Sequence, residues 1–221
     1  MQNNSILNIQ DLHFGYQDGK EVFRGLNFAL NARERVGLIG PNGAGKTTLF
    51  HLIMGLQRPS SGSIEIFHQL RKTESDFAEV RKRIGLLFQE SDDQLFCPTV
   101  EEDIAFGPLN LGKSHDEAHM IVKDTCEKLG LSGYEKRVTH RLSGGEKRLV
   151  ALATVVAMNP ECYLLDEPTA GLDEATTERF LDYLNKYAGT YVIITHNRDL
   201  LAHVADKVYL LTDGALKLLR S

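Results

Sequence analysis

The sequence predicts an α/β fold built around a phosphate-binding loop, and three observations carry that prediction. Gly40-Pro41-Asn42-Gly43-Ala44-Gly45-Lys46-Thr47-Thr48 fits the spacing of a glycine, four residues, then Gly-Lys-Ser/Thr. Its flanks agree: Arg35-Val36-Gly37-Leu38-Ile39 reads as a short buried strand, and Lys46 to Gln57 reads as a helix with Leu49, Phe50, Leu52, Ile53 and Leu56 apolar. A later apolar strand, Tyr163-Leu164-Leu165, ends on Asp166-Glu167, which puts carboxylates at the carboxyl end of a strand. In the loop, glycines allow tight turns that aim several N–H groups into one nest, and a helix N-terminus behind it favours anions. Lys46 can place its ammonium on β- and γ-phosphates, and Thr47 can offer its hydroxyl to Mg²⁺.

The other elements follow in order. Ile6 to Tyr16 reads as a strand leading into a turn, and the alternation of Leu26, Phe28 and Leu30 predicts a second strand with one buried face. Ile64 and Ile66 alternate again after the Pro59-Ser60-Ser61-Gly62 turn, and Ile84 to Phe88 is a short apolar run expected to be a buried strand. Between Gln89 and Leu142 the pattern turns helical. Thr99 with Glu102 forms a capping-box signature, and Ala118, Ile121, Val122, Thr125 and Leu129 share one helical face. This stretch reads as a helical insertion in the α/β core. Gly144 to Met158, apolar on most sides, predicts a buried helix. Glu174 to Tyr187 predicts a helix with Phe180, Leu181 and Leu184 inward. Tyr191 to Thr195 is another strand, and Val208 to Leu211 with Leu216 to Leu219 forms a hairpin across Asp213-Gly214.

Composition narrows the function. A chain of 221 residues allows one large domain or two small ones. The net charge of −5 gives no global sign of nucleic-acid binding. Cys97, Cys126 and Cys162 are far apart and lack metal-ligand spacing, which fits a reduced cytoplasmic setting. No apolar run approaches the roughly 20 residues needed to span a bilayer, and the N-terminus lacks a basic region followed by an apolar one. Any service to a membrane is therefore expected to go through a partner. His115 and His119 are spaced one helical turn apart, but without a third ligand they read as a solvated face.

Asp166 is placed for Mg²⁺, and Glu167 could orient or deprotonate an attacking water. Leu142-Ser143-Gly144-Gly145-Glu146 adds a second phosphate-binding terminus: Ser143 can cap the following helix while Gly144 and Gly145 expose its first N–H groups.

With these motifs in this order, the chain resembles the nucleotide-binding subunit of ATP-binding cassette (ABC) transporters over essentially its whole length. Gly40 to Thr48 resembles the Walker A loop, Leu142 to Glu146 the signature motif, Tyr163 to Asp166 Walker B, and Ala170-Gly171-Leu172-Asp173 the D-loop. The resemblance implies that Tyr16 stacks on adenine, that Gln89 contacts Mg²⁺ and senses the membrane partner, that Glu167 is the catalytic glutamate and that His196 contacts the γ-phosphate. It implies catalysis by Glu167, His196, Lys46 and Gln89. Nucleotide would be held by Tyr16, Gly40, Pro41, Asn42, Gly43, Ala44, Gly45, Lys46, Thr47, Thr48, Ser143, Gly144, Gly145 and Asp173. Mg²⁺ would be held by Thr47, Gln89 and Asp166. The signature ends in Glu146, where the family most often has Gln.

The implied fold is a RecA-like core with an N-terminal antiparallel β element and an inserted helical subdomain. The expected division is residues 1–89 and 150–221 for the core and 90–149 for the signature subdomain. ATP would lie between two cassettes set head to tail, each giving its Walker A to one site and its signature to the other.

A narrower similarity is carried by Phe88-Gln89-Glu90-Ser91-Asp92-Asp93-Gln94-Leu95-Phe96, Pro98 to Pro108 and Leu142-Ser143-Gly144-Gly145-Glu146-Lys147-Arg148. These resemble the ATPases of energy-coupling-factor importers, especially the cobalt and nickel type. They imply an ATPase at the cytoplasmic membrane face that works through separate transmembrane coupling and substrate-binding subunits. Many members carry a further C-terminal domain, which is expected to be absent or vestigial here. The alternatives are a vitamin importer of the same branch, another ABC transporter, a non-transport ABC protein and a regulatory module without turnover. Intact Glu167 and His196 argue against the last.

Overall fold

The computed structural model describes residues 4–17 and 19–220. Met1, Gln2, Asn3, Asp18 and Ser221 lie outside the described residues, and with them most of the stretch on which the leader expectation rested.

Two sheets carry the fold. The first is antiparallel and N-terminal. β1 (Ser5–Gly15) pairs with β2 (Glu21–Asn31) on one side and with β4 (Ser61–Ile66) on the other, and β4 pairs with the two-residue β5 (Gln69–Leu70). β2 alternates buried and exposed positions, with Leu26, Phe28 and Leu30 inward, as a strand with one wetted face must. The second sheet has the order β10-β9-β3-β8-β7-β6. β3 (Arg35–Ile39), β6 (Ile84–Leu87), β7 (Cys162–Asp166), β8 (Tyr191–Ile194) and β9 (Lys207–Thr212) run parallel, and β10 (Ala215–Arg220) closes the edge antiparallel.

The central strands read as unbroken apolar runs because both their faces are covered. Tyr163, Leu165, Tyr191 and Ile193 point into one core, together with the later helices α5 (Gly144–Ala157), α6 (Glu174–Tyr187) and α7 (Arg198–Val204). Leu164, Val192 and Ile194 point into the other, between this sheet, the N-terminal sheet, α1 (Lys46–Ile53) and α2 (Glu74–Arg81). Between β6 and α5 the chain leaves the sheet and builds α3 (Val100–Asn110) and α4 (His115–Leu129). Ala118, Val122, Thr125 and Leu129 of α4 are buried as expected. Glu102 accepts hydrogen bonds from the Thr99 backbone N–H at 3.0 Å and hydroxyl at 2.7 Å, which caps α3.

One element differs in length from expectation. α1 ends at Ile53, not at Gln57. Gly55 takes φ +70° and closes the helix, the N–H groups of Leu56 and Gln57 turn back to the His51 carbonyl, and Leu56 is left exposed. α2 and α7 were not foreseen. Both are short, and each is started by a side-chain cap, Thr73 for α2 and Asn197 for α7.

Candidate active site

The carboxyl ends of β3, β6 and β7 open onto one cleft of about 830 Å³, the position at which α/β sheets hold ligands. The loop after β3 forms one wall. Gly45 lies at φ +103°, and a Cβ there would come 2.5 Å from Val22 Cγ1, so only glycine lets the loop pass this close to β2. Lys46, the first residue of α1, is 8% exposed, and its ammonium donates to the Gly40 carbonyl at 2.8 Å and the Pro41 carbonyl at 3.0 Å. Burial lowers its pKa, opposed by the nearby negative charges of Glu167 and Asp166.

Asp166 ends β7 as a buried carboxylate, and the Thr47 hydroxyl donates to it at 2.5 Å. Burial raises the Asp166 pKa, while the Thr47 bond and the charges of Arg148, Lys46 and His51 pull it down. Glu167 follows in a left-handed conformation, φ +46°, with its N–H on the Ile194 carbonyl at 2.9 Å. Its Oε1 is buried without a hydrogen-bond partner among the described residues. His196 Nε2 stands 3.4 Å away, within ion-pair reach but without hydrogen-bond geometry. An unpartnered buried carboxylate oxygen is costly unless something binds there. The donors gathered here are a threonine hydroxyl, a carboxylate and the Gln89 amide on the cleft wall, a hard oxygen set that fits Mg²⁺.

The opposite wall is the start of α5. The Ser143 side chain accepts from the Glu146 N–H at 3.3 Å, and the Glu146 carboxylate accepts from the Ser143 N–H at 2.8 Å. Gly144 and Gly145 line the cleft, and a Cβ on Gly144 would meet nothing. Glu146 turns back from the cleft to the Tyr134 hydroxyl and to Arg137, each at 3.0 Å.

The structure thus brings Tyr16, Asn42, Gly43, Gly45, Lys46, Thr47, Thr48, Gln89, Gly144, Gly145, Asp166, Glu167 and His196 to one cleft. The Tyr16 hydroxyl shares a 2.8 Å bond with Thr48. Other expected residues lie elsewhere. Gly40 and Pro41 give carbonyls to Lys46, and Pro41 and Ala44 face a neighbouring hollow. Ser143 acts as the α5 cap, and Asp173 caps α6 by accepting from the Thr176 N–H at 2.7 Å. Arg148, to which sequence reasoning gave no role, also lines the cleft. The sequence marked it only as a cation, next to Lys147, entering the apolar run of α5 and as part of the stretch similar to importer ATPases. His115 and His119 are both exposed on α4, and among the described residues no group of three or more His, Cys, Asp or Glu is placed to hold a metal. No described helix is long and apolar enough to cross a membrane.

The chain is similar to known proteins over most of its length. The family model described as "ABC transporter" matches residues 23–170. The energy-coupling factor transporter ATP-binding protein EcfA of Methanocaldococcus jannaschii is 46% identical over 215 residues, 96% of this chain and 77% of that protein. The protein of the same name from Methanococcus maripaludis is 43% identical over 216 residues, 96% of this chain and 78% of that one. Among solved structures, CbiO1 from Clostridium perfringens, described as part of an ABC transporter complex, superposes with TM-score 0.85 at 32% identity, over 98% of this chain and 88% of that one. An ATP-binding cassette dimer bound to ADP and Pi gives TM-score 0.88 at 24% identity, covering 97% of this chain and 98% of that one, a likeness of fold.

Proposed function

This chain belongs to the ABC transporter family as an ATPase that works with ATP and Mg²⁺, and on that premise we propose that it energises an energy-coupling-factor importer. The cargo we assign is a transition-metal ion, cobalt or nickel. Support comes from the segment from Phe88 to Pro108 and from relatives named as energy-coupling factor ATP-binding proteins. The working unit is two cassettes head to tail, docked on transmembrane coupling and substrate-binding subunits at the cytoplasmic face. Residues 90–149 act as the signature subdomain of each.

The observation that carries the catalytic reading is the buried, unpartnered Glu167 Oε1 beside the Thr47–Asp166 pair. Lys46 leaves the Gly40 and Pro41 carbonyls to bind β- and γ-phosphates. Thr47, Asp166 and Gln89 would hold Mg²⁺, which would neutralise phosphate charge. Tyr16 packs on the base, and His196 reaches the γ-phosphate. Glu167 accepts a hydrogen bond from the attacking water at its carboxylate and takes its proton. Gly144 and Gly145 offer the α5 terminus to the nucleotide of the other cassette.

The Glu167→Gln protein tests this. It keeps the size and polarity of the side chain but not the base. It is expected to bind Mg-ATP like the parent, to lose turnover by at least about a hundredfold, and to collect as an ATP-bound dimer in gel filtration. Near-parental phosphate release would remove Glu167 from this role. The cargo is tested by metal uptake in cells carrying the chain with its co-purified membrane subunits; unchanged cobalt and nickel uptake on its deletion would reject the metal assignment.

A further inference from the structure

Arg148 stands one turn inside α5 and is 3% exposed. Among the described residues its guanidinium donates to backbone carbonyls and to no carboxylate. Nη1 donates to Phe88 and, at 3.1 Å, to Gln89. Nη2 donates to Asp166 and, at 2.9 Å, to Glu167, and Nε reaches the Pro168 carbonyl at 3.4 Å. These acceptors belong to two separate segments, the exit of β6 and the exit of β7.

Burying a cation without a directly bonded carboxylate is costly, and an apolar side chain would fill the space at less expense. Asp166, Glu90 and Glu167 offset the charge from a distance. What an apolar residue could not do is hold both strand ends at once. A guanidinium presents five donors in a planar fork, whereas a lysine ammonium is a single point with three. Among the described residues the Glu167 side chain has no hydrogen bond at Oε1. Its backbone is held by three bonds: its N–H donates to Ile194, and its carbonyl accepts from the Ala170 N–H at 3.1 Å and from Arg148, the one of the three that also reaches the β6 exit. The same arginine fixes the carbonyl of Gln89 and grows from the helix whose first residues line the cleft.

We infer that Arg148 is a positioning residue for hydrolysis: it locks the Gln89 and Glu167 backbones to each other and to the first turn of α5, and so aims the Glu167 carboxylate into the cleft. The inference rests on the proposed role of Glu167 and adds a requirement to it.

The test compares full-length parent, Arg148→Lys, Arg148→Met and Glu167→Gln proteins. Melting, ATP affinity by calorimetry, and steady-state kcat and KM are measured for each. Both Arg148 variants are expected to melt cooperatively and to bind ATP within about threefold of the parent. Their kcat is expected to fall by about tenfold or more, since a small misplacement at the reacting centre is enough for that. Lysine is not expected to rescue, because it keeps the charge but loses the fork. Parental kcat in Arg148→Lys overturns the inference. So does a loss of kcat matched by an equal loss of ATP affinity, or failure of both variants to fold, either of which makes Arg148 plain structural support. If Glu167→Gln turns over normally, the assignment of Glu167 falls and the inference with it. If Glu167→Gln is inactive while Arg148→Lys is normal, the inference alone falls.

Discussion

Lys46 is the residue on which nucleotide affinity should turn. Its ammonium is largely buried and already rests on two carbonyls of its own loop, so the loop is held in a phosphate-ready shape before ligand arrives. Desolvation, which lowers its pKa, also means that little water must be stripped from it on binding. Lys46→Ala is expected to lose about 1.5–3 kcal/mol of ATP binding, roughly ten- to a hundredfold in Kd, from charged hydrogen bonds. Calorimetry with ATP reads this directly, and a melting curve close to the parent's shows that the fold survives. Unchanged affinity would take Lys46 out of the site. Lys46 and Thr47 were legible because their roles depend on spacing within one loop. Arg148 was not, because its acceptors lie about sixty and twenty residues away and are backbone atoms, which no motif of side chains records.

At the scale of elements, α5 shows how a cap can also shape a binding surface. The exchange between Ser143 and Glu146 satisfies the helix start, and it turns the Glu146 carboxylate toward Tyr134 and Arg137, away from the glycines that line the cleft. The bond from the Ser143 N–H, then the Ser143 and Tyr134 hydroxyls and the Arg137 charge, hold the Glu146 pKa below its ordinary 4.5. A depressed carboxylate contributes stability that is present above the unfolded pKa and lost as pH falls through the folded one. Glu146→Gln is therefore expected to be less stable than the parent near neutral pH, and the gap should close below about pH 4.5. The side chain is 31% exposed, so solvent screening keeps the gap under about 1 kcal/mol. Urea midpoints at pH 7 and pH 4 check it; a gap that widens on acidification would contradict the sign. This cap was readable because its partners lie three residues apart, as were Thr99 and Glu102. The end of α1 was misread because Leu56 continues the apolar period. Gly55 stops the helix by its backbone conformation, which outranks the pattern. α2 and α7 were missed because each has too few apolar positions to show a period.

For the whole molecule, the question is how the cleft is read by a membrane partner. Glu90, Asp92 and Asp93 follow directly on Gln89, and all three are exposed. The single turn they form, Ser91–Asp93, leads to Gln94, whose amide bonds the Ala151 carbonyl and the Thr154 hydroxyl, each at 2.7 Å, and so ties the turn to α5. Beyond it Phe96 and Phe106 meet edge to face at 4.7 Å, both exposed. A cationic partner would relieve the repulsion among the acids, and a partly desolvated Arg–carboxylate contact would be worth about 1–3 kcal/mol. The structure adds a competitor: Lys147, on the cleft wall, pairs with Asp92 at 2.6 Å. Loss of the acids therefore also frees Lys147, so two proteins are needed. Replacing Glu90 by Gln and both aspartates by Asn is expected to leave ATP binding by the isolated subunit within about threefold, because no proposed phosphate or metal ligand changes. The same protein should co-purify poorly with its membrane subunits and fail to drive uptake. Lys147→Met breaks only the internal pair and should assemble normally. If the acid-free protein assembles and transports like the parent, the turn is solvated surface. If Lys147→Met fails as badly, the internal pair rather than a partner cation is what the acids serve.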